Sequence, residues 1–298
     1  MELHTSVLLK ESIEGLNLES HDVAIDGTVG QGGHTAKIAE IVGPQGTVLA
    51  LDADQSSLRA AEENLKSAPA HLIFIHGNFR NIKEHAMRAG ITSADAIILD
   101  LGWHSGQLMS GRGFSFKEDA PLIMTLSEHP EAYQMTAADI IAGWDEEELV
   151  NLFREYGEER FAGRIARVIV EERSRKPILT AKQLAEVVQG AVPAKFRGGR
   201  IHPATRIFQA LRIAVNDELG ALKEAIASSL ELLAPEGRLA IISFHSLEDR
   251  IVKEAFRTAE AAGLGSRITK KPIQSSRAEQ KANPRARSAK LRIFEKYA

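Results

Sequence analysis

The run Ala24-Ile25-Asp26-Gly27-Thr28-Val29-Gly30-Gln31-Gly32-Gly33-His34 ends an apolar stretch on an acid, then places four glycines before a helix-like segment. Glycine permits backbone angles and close approaches that a Cβ forbids. A helix start offers N–H groups without intrahelical partners. In a strand-loop-helix unit such a turn marks the crevice at the carboxyl edge of a parallel sheet, where nucleotide-type cofactors dock. The competing reading, a glycine turn without a ligand, gives up chain entropy for no packing return.

Spacing separates the cofactors. A dinucleotide fingerprint needs G-x-G-x-x-G/A, and counting from Gly30 and Gly32 puts Thr35 at the third small position. The pattern D-x-G-x-G-x-G of S-adenosylmethionine methyltransferases matches Asp26, Gly30 and Gly32, with Thr28 in place of its first glycine. About 20 residues after the loop, Thr47 to Leu51 delivers Asp52 to a second strand end, where a carboxylate accepts hydrogen bonds from the ribose of an adenosine cofactor. The expected cofactor is S-adenosylmethionine.

Composition bounds the rest. The chain has 298 residues, 44% hydrophobic and 26% charged, enough for one large or two modest domains. It has no cysteine, which excludes disulfides, thiolate metal sites and a cysteine nucleophile. No histidine or acid cluster has metal-ligand spacing, so no metal is expected. Glu2, Glu11 and Glu14 flank the short Val7-Leu8-Leu9 run, unlike a targeting peptide. No apolar run approaches the length of a membrane span, and a cytoplasmic location is expected. Net charge is −3 but segregated: residues 160 to 212 hold 12 Lys/Arg against 3 Asp/Glu, and residues 266 to 298 hold 10 against 2. Two basic blocks on an acidic body, with Phe196, Phe208 and Phe294 among them, suggest a polyanion surface. Either block alone reads better as solvated helix faces.

Apolar runs at Val23 to Asp26, Val48 to Asp52, Leu72 to His76 and Ala96 to Leu101 predict buried strands. Helices are predicted between them at about 34–42, 55–67 and 81–89. From 104 to 200 the pattern is helices and loops; a long helix ending near Leu233, the turn Pro235-Glu236-Gly237 and the strand Leu239 to Phe244 follow. The predicted fold is α/β, a class I Rossmann-like doubly wound sheet built from 1–103 and 201–298, with an inserted helical substrate-recognition domain at 104–200. Residues 272–290 are polar enough to be mobile without a partner.

Ile97-Ile98-Leu99-Asp100-Leu101-Gly102-Trp103 puts a carboxylate and a flat ring where the fourth strand leaves the sheet. An exocyclic base amine is a poor nucleophile, and an acceptor at its N–H bonds can aim the lone pair while a ring stacks on the extruded base. Asp100 and Trp103 are the candidate catalytic pair, with cofactor contact for Asp100 and core packing for Trp103 as the competing readings. His202, before a proline, reads as a packing residue or a contact to the RNA. Ser246-Leu247-Glu248-Asp249 reads as a helix capping box.

These residues resemble the small-subunit ribosomal RNA methyltransferase H family. The resemblance rests on His4 with Val7-Leu8-Leu9, Asp26-Gly27-Thr28 with Gly30 and Gly32-Gly33-His34, Leu99-Asp100-Leu101-Gly102, Arg112-Gly113-Phe114-Ser115-Phe116, Tyr156-Gly157-Glu158-Glu159-Arg160, His202-Pro203-Ala204-Thr205-Arg206, Ser243 to Arg250 and Asn283 to Ser288. It implies S-adenosylmethionine contacts at Gly32, Gly33, His34, Asp52, Phe79, Asp100 and Gln107, and methylation of the N4 amine of a decoding-region cytidine in 16S ribosomal RNA. Arg200, His202, Arg206, Arg285 and Arg287 are the candidate RNA contacts. The chain departs from the family pattern at Trp103-His104-Ser105, at Met109, and at Ile123 and Thr125, where an acid and an arginine are usual. Those losses motivate an alternative, an RNA-binding ribosome-assembly factor that binds S-adenosylmethionine without turnover. A methyltransferase of DNA or small molecules is a third reading.

Overall fold

The computed structural model describes residues 6–103, 110–126, 134–199 and 201–298. The chain divides into two compact units, Met1–Gly102 with Leu219–Ala298, and Trp103–Glu218.

The first unit is a mixed sheet between helices. Its strands are β1 (Val23–Asp26), β2 (Thr47–Asp52), β3 (His71–His76), β4 (Ala94–Asp100), β5 (Leu233–Ser243), β6 (Gly265–Arg267), β7 (Ile273–Gln274) and β8 (Lys290–Lys296). The order is β3-β2-β1-β4-β5-β8-β6, with β7 paired to β8. β1 to β5 run parallel, and β8 is antiparallel to β5. The chain winds outward from β1 to β3, then returns to place β4 on the other side of β1. That reversal opens a crevice at the carboxyl ends of β1 and β4, the binding position of doubly wound sheets.

Strand periodicity sorts the central residues onto two buried faces. Ile25, Leu49, Ile97, Leu99, Leu239 and Ile241 share a core with the helices α4 (Ile82–Arg88), α10 (Glu218–Leu232) and α11 (Ser246–Ala261). Ala24, Val48, Ala96, Ile98, Ala240 and Ile242 share the other with α1 (Leu9–Leu16) and α2 (Gly33–Val42). The remaining early helix, α3 (Gln55–Asn64), starts at Asp54, whose carboxylate accepts from Ser56 N–H at 2.9 Å and Ser57 N–H at 3.4 Å.

Three expectations for the sheet unit change on contact with the structure. The turn at 235–237 lies inside β5 as an irregularity: Ala94 pairs with Leu233 and Ala96 with Arg238, with Glu236 at φ 62°. The cap of α11 is His245 rather than Ser246: its Nδ1 accepts from Glu248 N–H at 3.3 Å, and the Glu248 carboxylate accepts from His245 N–H at 3.2 Å and Phe244 N–H at 2.7 Å. Residues 272–290 are held by their own chain, through α12 (Arg277–Ala282) and a 3-10 turn, Pro284–Ser288. Glu279 accepts from Leu8 N–H at 2.7 Å, and Ser275 Oγ donates to Ala286 O at 2.5 Å. Intrachain partners satisfy the polar groups that otherwise favour disorder in such a segment.

The second unit contains α5 (Ala137–Gly143), α6 (Glu146–Glu155), α7 (Ala162–Arg175), α8 (Ala181–Ala191) and α9 (Thr205–Asn216). Ile140, Phe153, Ile165, Leu184, Phe208 and Leu211 are among its buried core. The sequence reading returns to the sheet at 201, but α9 buries Ile207, Phe208, Ala210 and Leu211 in the helical core. An amphipathic stripe says that a helix packs, not which core receives it.

Asp249 clips α11 to the sheet edge, accepting from Arg292 Nε at 2.7 Å and Lys290 Nζ at 3.1 Å. Arg292 is 4% exposed. Removing one partner strands a buried charge, at a cost of roughly 3–5 kcal/mol. Asp249→Ala should lose about 3 kcal/mol in urea unfolding, and adding Arg292→Met should recover most of it; simply additive losses would contradict the clip.

Candidate functional site

The glycine turn is sewn to three strand ends. Asp26, closing β1, is 1% exposed and accepts from Thr28 N–H at 3.0 Å and from the Thr35 hydroxyl at 2.6 Å. Gly27 N–H donates to Ile98 O at 3.0 Å, and Val29 N–H to Leu51 O at 2.8 Å. Thr28, which stands where the glycine pattern has its first glycine, has a specific use: its hydroxyl accepts Asp100 N–H at 2.6 Å, tying the turn to the end of β4. Gly32 then starts α2 at φ 92°, where a Cβ would also meet Leu65 Cδ1 at 2.8 Å. The N-cap of α2, Gly32, makes no side-chain cap hydrogen bond, and a helix start of this kind offers its first N–H groups to an anion or carboxylate.

Asp52, closing β2, is 9% exposed. One oxygen accepts Gly30 N–H at 2.8 Å and the other Asp54 N–H at 2.8 Å. Each oxygen keeps acceptor capacity, which suits a vicinal diol. Burial pushes the Asp52 pKa up to about 6, against the lowering effect of those two N–H groups.

Asp100, closing β4, accepts Gly102 N–H at 3.1 Å. Burial, opposed by that N–H and reinforced by Glu248, pushes its pKa up to about 6, while Arg285 pulls it down. His34 Nε2 lies 3.2 Å from Val7 O and, facing a carbonyl, carries the proton. Burial lowers the His34 pKa. Its Nδ1 therefore presents a lone pair 3.7 Å from Asp100 Oδ2. Two acceptors confront each other at a distance too long for a direct bond. The edge thus gathers the buried carboxylates Asp26 and Asp52 and the half-buried Asp100, with Asp26 also raised by burial. A ligand rich in hydroxyl and cationic donors complements this set.

Phe79 follows β3 in the short turn Phe79–Asn81 and packs beside the first core, next to the Gly27 turn. Gln107 and Arg200 lie outside the described residues. Of the expected RNA contacts, Arg285 is half-buried with its charge felt at Asp100, and Arg287 is exposed. Glu248 and Arg285 are electrostatic members of the edge that sequence reasoning assigned elsewhere; Glu248 reads as a cap and Arg285 as a phosphate contact, and only the folding of the chain after β5 back onto the sheet brings them in.

Within the helical unit, the Trp103 ring meets Phe114 at 4.4 Å between centroids, and the Arg212 guanidinium lies 4.8 Å over it. Arg212 is held bidentately by Glu218 at 2.7 and 2.8 Å. Phe116 stacks on His202 at 4.5 Å and 20°, and His202 Nδ1 accepts Ala204 N–H at 3.2 Å. Arg206 donates to Glu158 O at 3.0 Å. The departures at Ile123 and Thr125 sit in a segment pinned by Arg112, which donates to Thr125 O at 3.1 Å, and by Asn216, which donates to Met124 O at 2.8 Å. Thr125 is fully buried. Trp103 and His202 each have ring partners inside the unit, Phe114 and Phe116 respectively.

A model of the MraW methylase family matches residues 1–297. The chain is 46% identical over 307 residues to the ribosomal RNA small subunit methyltransferase H of Syntrophotalea carbinolica, covering 98% of this chain and 97% of the relative. The protein of the same name from Symbiobacterium thermophilum is 44% identical over 309 residues, with 98% and 96% covered. That from Brevibacillus brevis is 42% identical over 309 residues, with 98% of each chain covered.

Carboxyl-carbon NMR of the ligand-free protein should show Asp52 and Asp100 titrating near pH 6, about two units above an ordinary aspartate. Midpoints near 4 would mean that water reaches both groups and that the buried acid edge does not exist in solution.

Proposed function

We propose, for a chain that belongs to the MraW methylase family and is an S-adenosylmethionine-dependent ribosomal RNA methyltransferase, that the target is the exocyclic N4 amine of a decoding-region cytidine in the 16S RNA of the small ribosomal subunit. The observation that carries this reading is the acid-lined carboxyl edge, where Asp52 and Asp100 stand raised to about pKa 6 beside an uncapped helix start. We place the reaction in the cytoplasm, where small subunits are assembled; no helix among the described residues is long and apolar enough to cross a membrane.

The donor set fits S-adenosylmethionine. Asp52 would hold the ribose hydroxyls with the acceptor capacity left on each oxygen. The uncapped N–H groups of α2 and the Gly32-Gly33-His34 backbone suit the amino-acid carboxylate, and Phe79 would cover the adenine. Bound there, S-adenosylmethionine supplies an electrophilic methyl group on a sulfonium.

The protein's own work lies in orientation and charge. A cytosine amine delocalises its lone pair into the ring, so an acceptor must hold its N–H bonds for the lone pair to face the methyl. Asp100 is suited to this at neutral pH, where it is ionised but poorly solvated. Its raised pKa also lets it take the proton that becomes acidic once nitrogen is alkylated. The His34 Nδ1 lone pair, 3.7 Å away, is a second acceptor in the same place. Trp103, held by Phe114 and Arg212, is the stacking candidate for the base.

Labelled S-adenosylmethionine incubated with 30S subunits lacking the modification should place label in cytidine; no label there sinks the assignment. Asp100→Asn should lower kcat by about 100-fold or more with a smaller change in the KM for RNA. Because ligand donors stabilise the ionised carboxylates, binding lowers their pKa values and releases protons. Affinity for S-adenosylmethionine should therefore hold above pH 6 and weaken as pH falls below it, and a flat profile from 5 to 8 would contradict the roles of Asp52 and Asp100.

A further inference from the structure

We infer that the cluster of exposed Arg160, Lys195 and Phe196 with half-buried Phe161 on the helical unit is a stacking platform for an unpaired base of the RNA substrate other than the one methylated. The inference rests on the RNA reading above and names where that RNA docks. Phe196 is 37% exposed. The Arg160 guanidinium lies 3.9 Å from its ring centroid and 4.5 Å from that of Phe161, while Lys195 Nζ lies 4.9 Å from the Phe196 centroid. The two rings stand 5.3 Å apart at 43°.

Two cations on one ring repel each other, and surface cations are ordinarily relieved by a nearby acid. Among the described residues Arg160, Arg164 and Lys195 have no carboxylate partner, in a stretch where 12 Lys/Arg face 3 Asp/Glu. An anion from outside supplies the missing charge. The planar guanidinium and the open aromatic surface specify which kind: bases stack on aromatic and guanidinium planes while phosphates meet the cations.

The cluster is also pre-set, which lowers the cost of ordering it on binding. Gly157 lets the chain pass where a Cβ would lie 2.7 Å from Phe153 O and 2.8 Å from Arg206 O. Glu159, buried, accepts Phe161 N–H at 2.8 Å and fixes the turn that presents Arg160. Arg197 ties the Ala194–Phe196 turn to the end of α8 by donating to Val192 O at 2.8 Å and Gly190 O at 2.9 Å.

The test measures binding of full-length protein to a decoding-region 16S fragment by fluorescence anisotropy across salt concentrations, alongside methyl transfer to 30S subunits. Phe196→Ala should weaken RNA binding about tenfold or more, with affinity for S-adenosylmethionine unchanged, and Phe196→Tyr should restore it. Arg160→Gln should lower the slope of log affinity against log salt by about 1, whereas Phe196→Ala should leave that slope alone. Variants that bind RNA like wild type, or a Phe196→Ala loss that Phe196→Tyr does not rescue, would overturn the platform. Wild-type protein that binds the fragment but methylates nothing would sink the target assignment and leave the platform standing, so the two failures are distinguishable.

Discussion

The Asp26 carboxylate is the constraint on which the rest of the architecture turns. It is buried at the end of β1 and accepts from Thr28 N–H and the Thr35 hydroxyl, locking both ends of the glycine turn to one atom group. With the turn fixed, Thr28 can receive Asp100 N–H and Gly30 can reach Asp52. One buried acid thereby sets the spacing of two others. The hydrogen bonds within the turn offset part of the desolvation that burying Asp26 incurs.

That arrangement is deliberately incomplete in electrostatic terms. Asp52 is buried and Asp100 half-buried without a full complement of positive charge, and His34, lowered by burial, does not supply one. Buried acids with raised pKa values are found where a ligand or a reaction uses them. Stability is sacrificed locally, and the large apolar cores on both sheet faces carry the fold. The helical unit has its own core and a different surface chemistry, with two cations gathered around the exposed Phe196 ring.

Much of the sheet was legible in the sequence because its signals are local. The apolar runs that form β1, β2 and β4 end on Asp26, Asp52 and Asp100, and the turn after β1 has glycine at positive φ. The loop chemistry by itself points to an adenosine cofactor. Long-range pairing was not legible. Nothing in the Pro235-Glu236-Gly237 triplet says that β5 continues through it, and nothing in the polar 272–290 segment says that Glu279 meets Leu8. Nor does the stripe on α9 name the core it joins. The cap at His245 escaped because Ser246 satisfies the capping pattern equally well on paper, and only the backbone angles at the end of β5 decide between them. Phe196 stands in a basic block of the sequence, but its neighbours Arg160 and Phe161 are 36 and 35 residues away in the chain. No sequence pattern pairs them.

The account stands or falls on Asp52 acting as the ribose acceptor of a turn organised by Asp26. Calorimetric titration of S-adenosylmethionine into wild type and Asp52→Asn at pH 7.5 tests this directly. The account predicts affinity at least about tenfold weaker in the variant, the scale of one charge-assisted hydrogen bond, with the fold intact by circular dichroism. Equal affinity in the two proteins would contradict it.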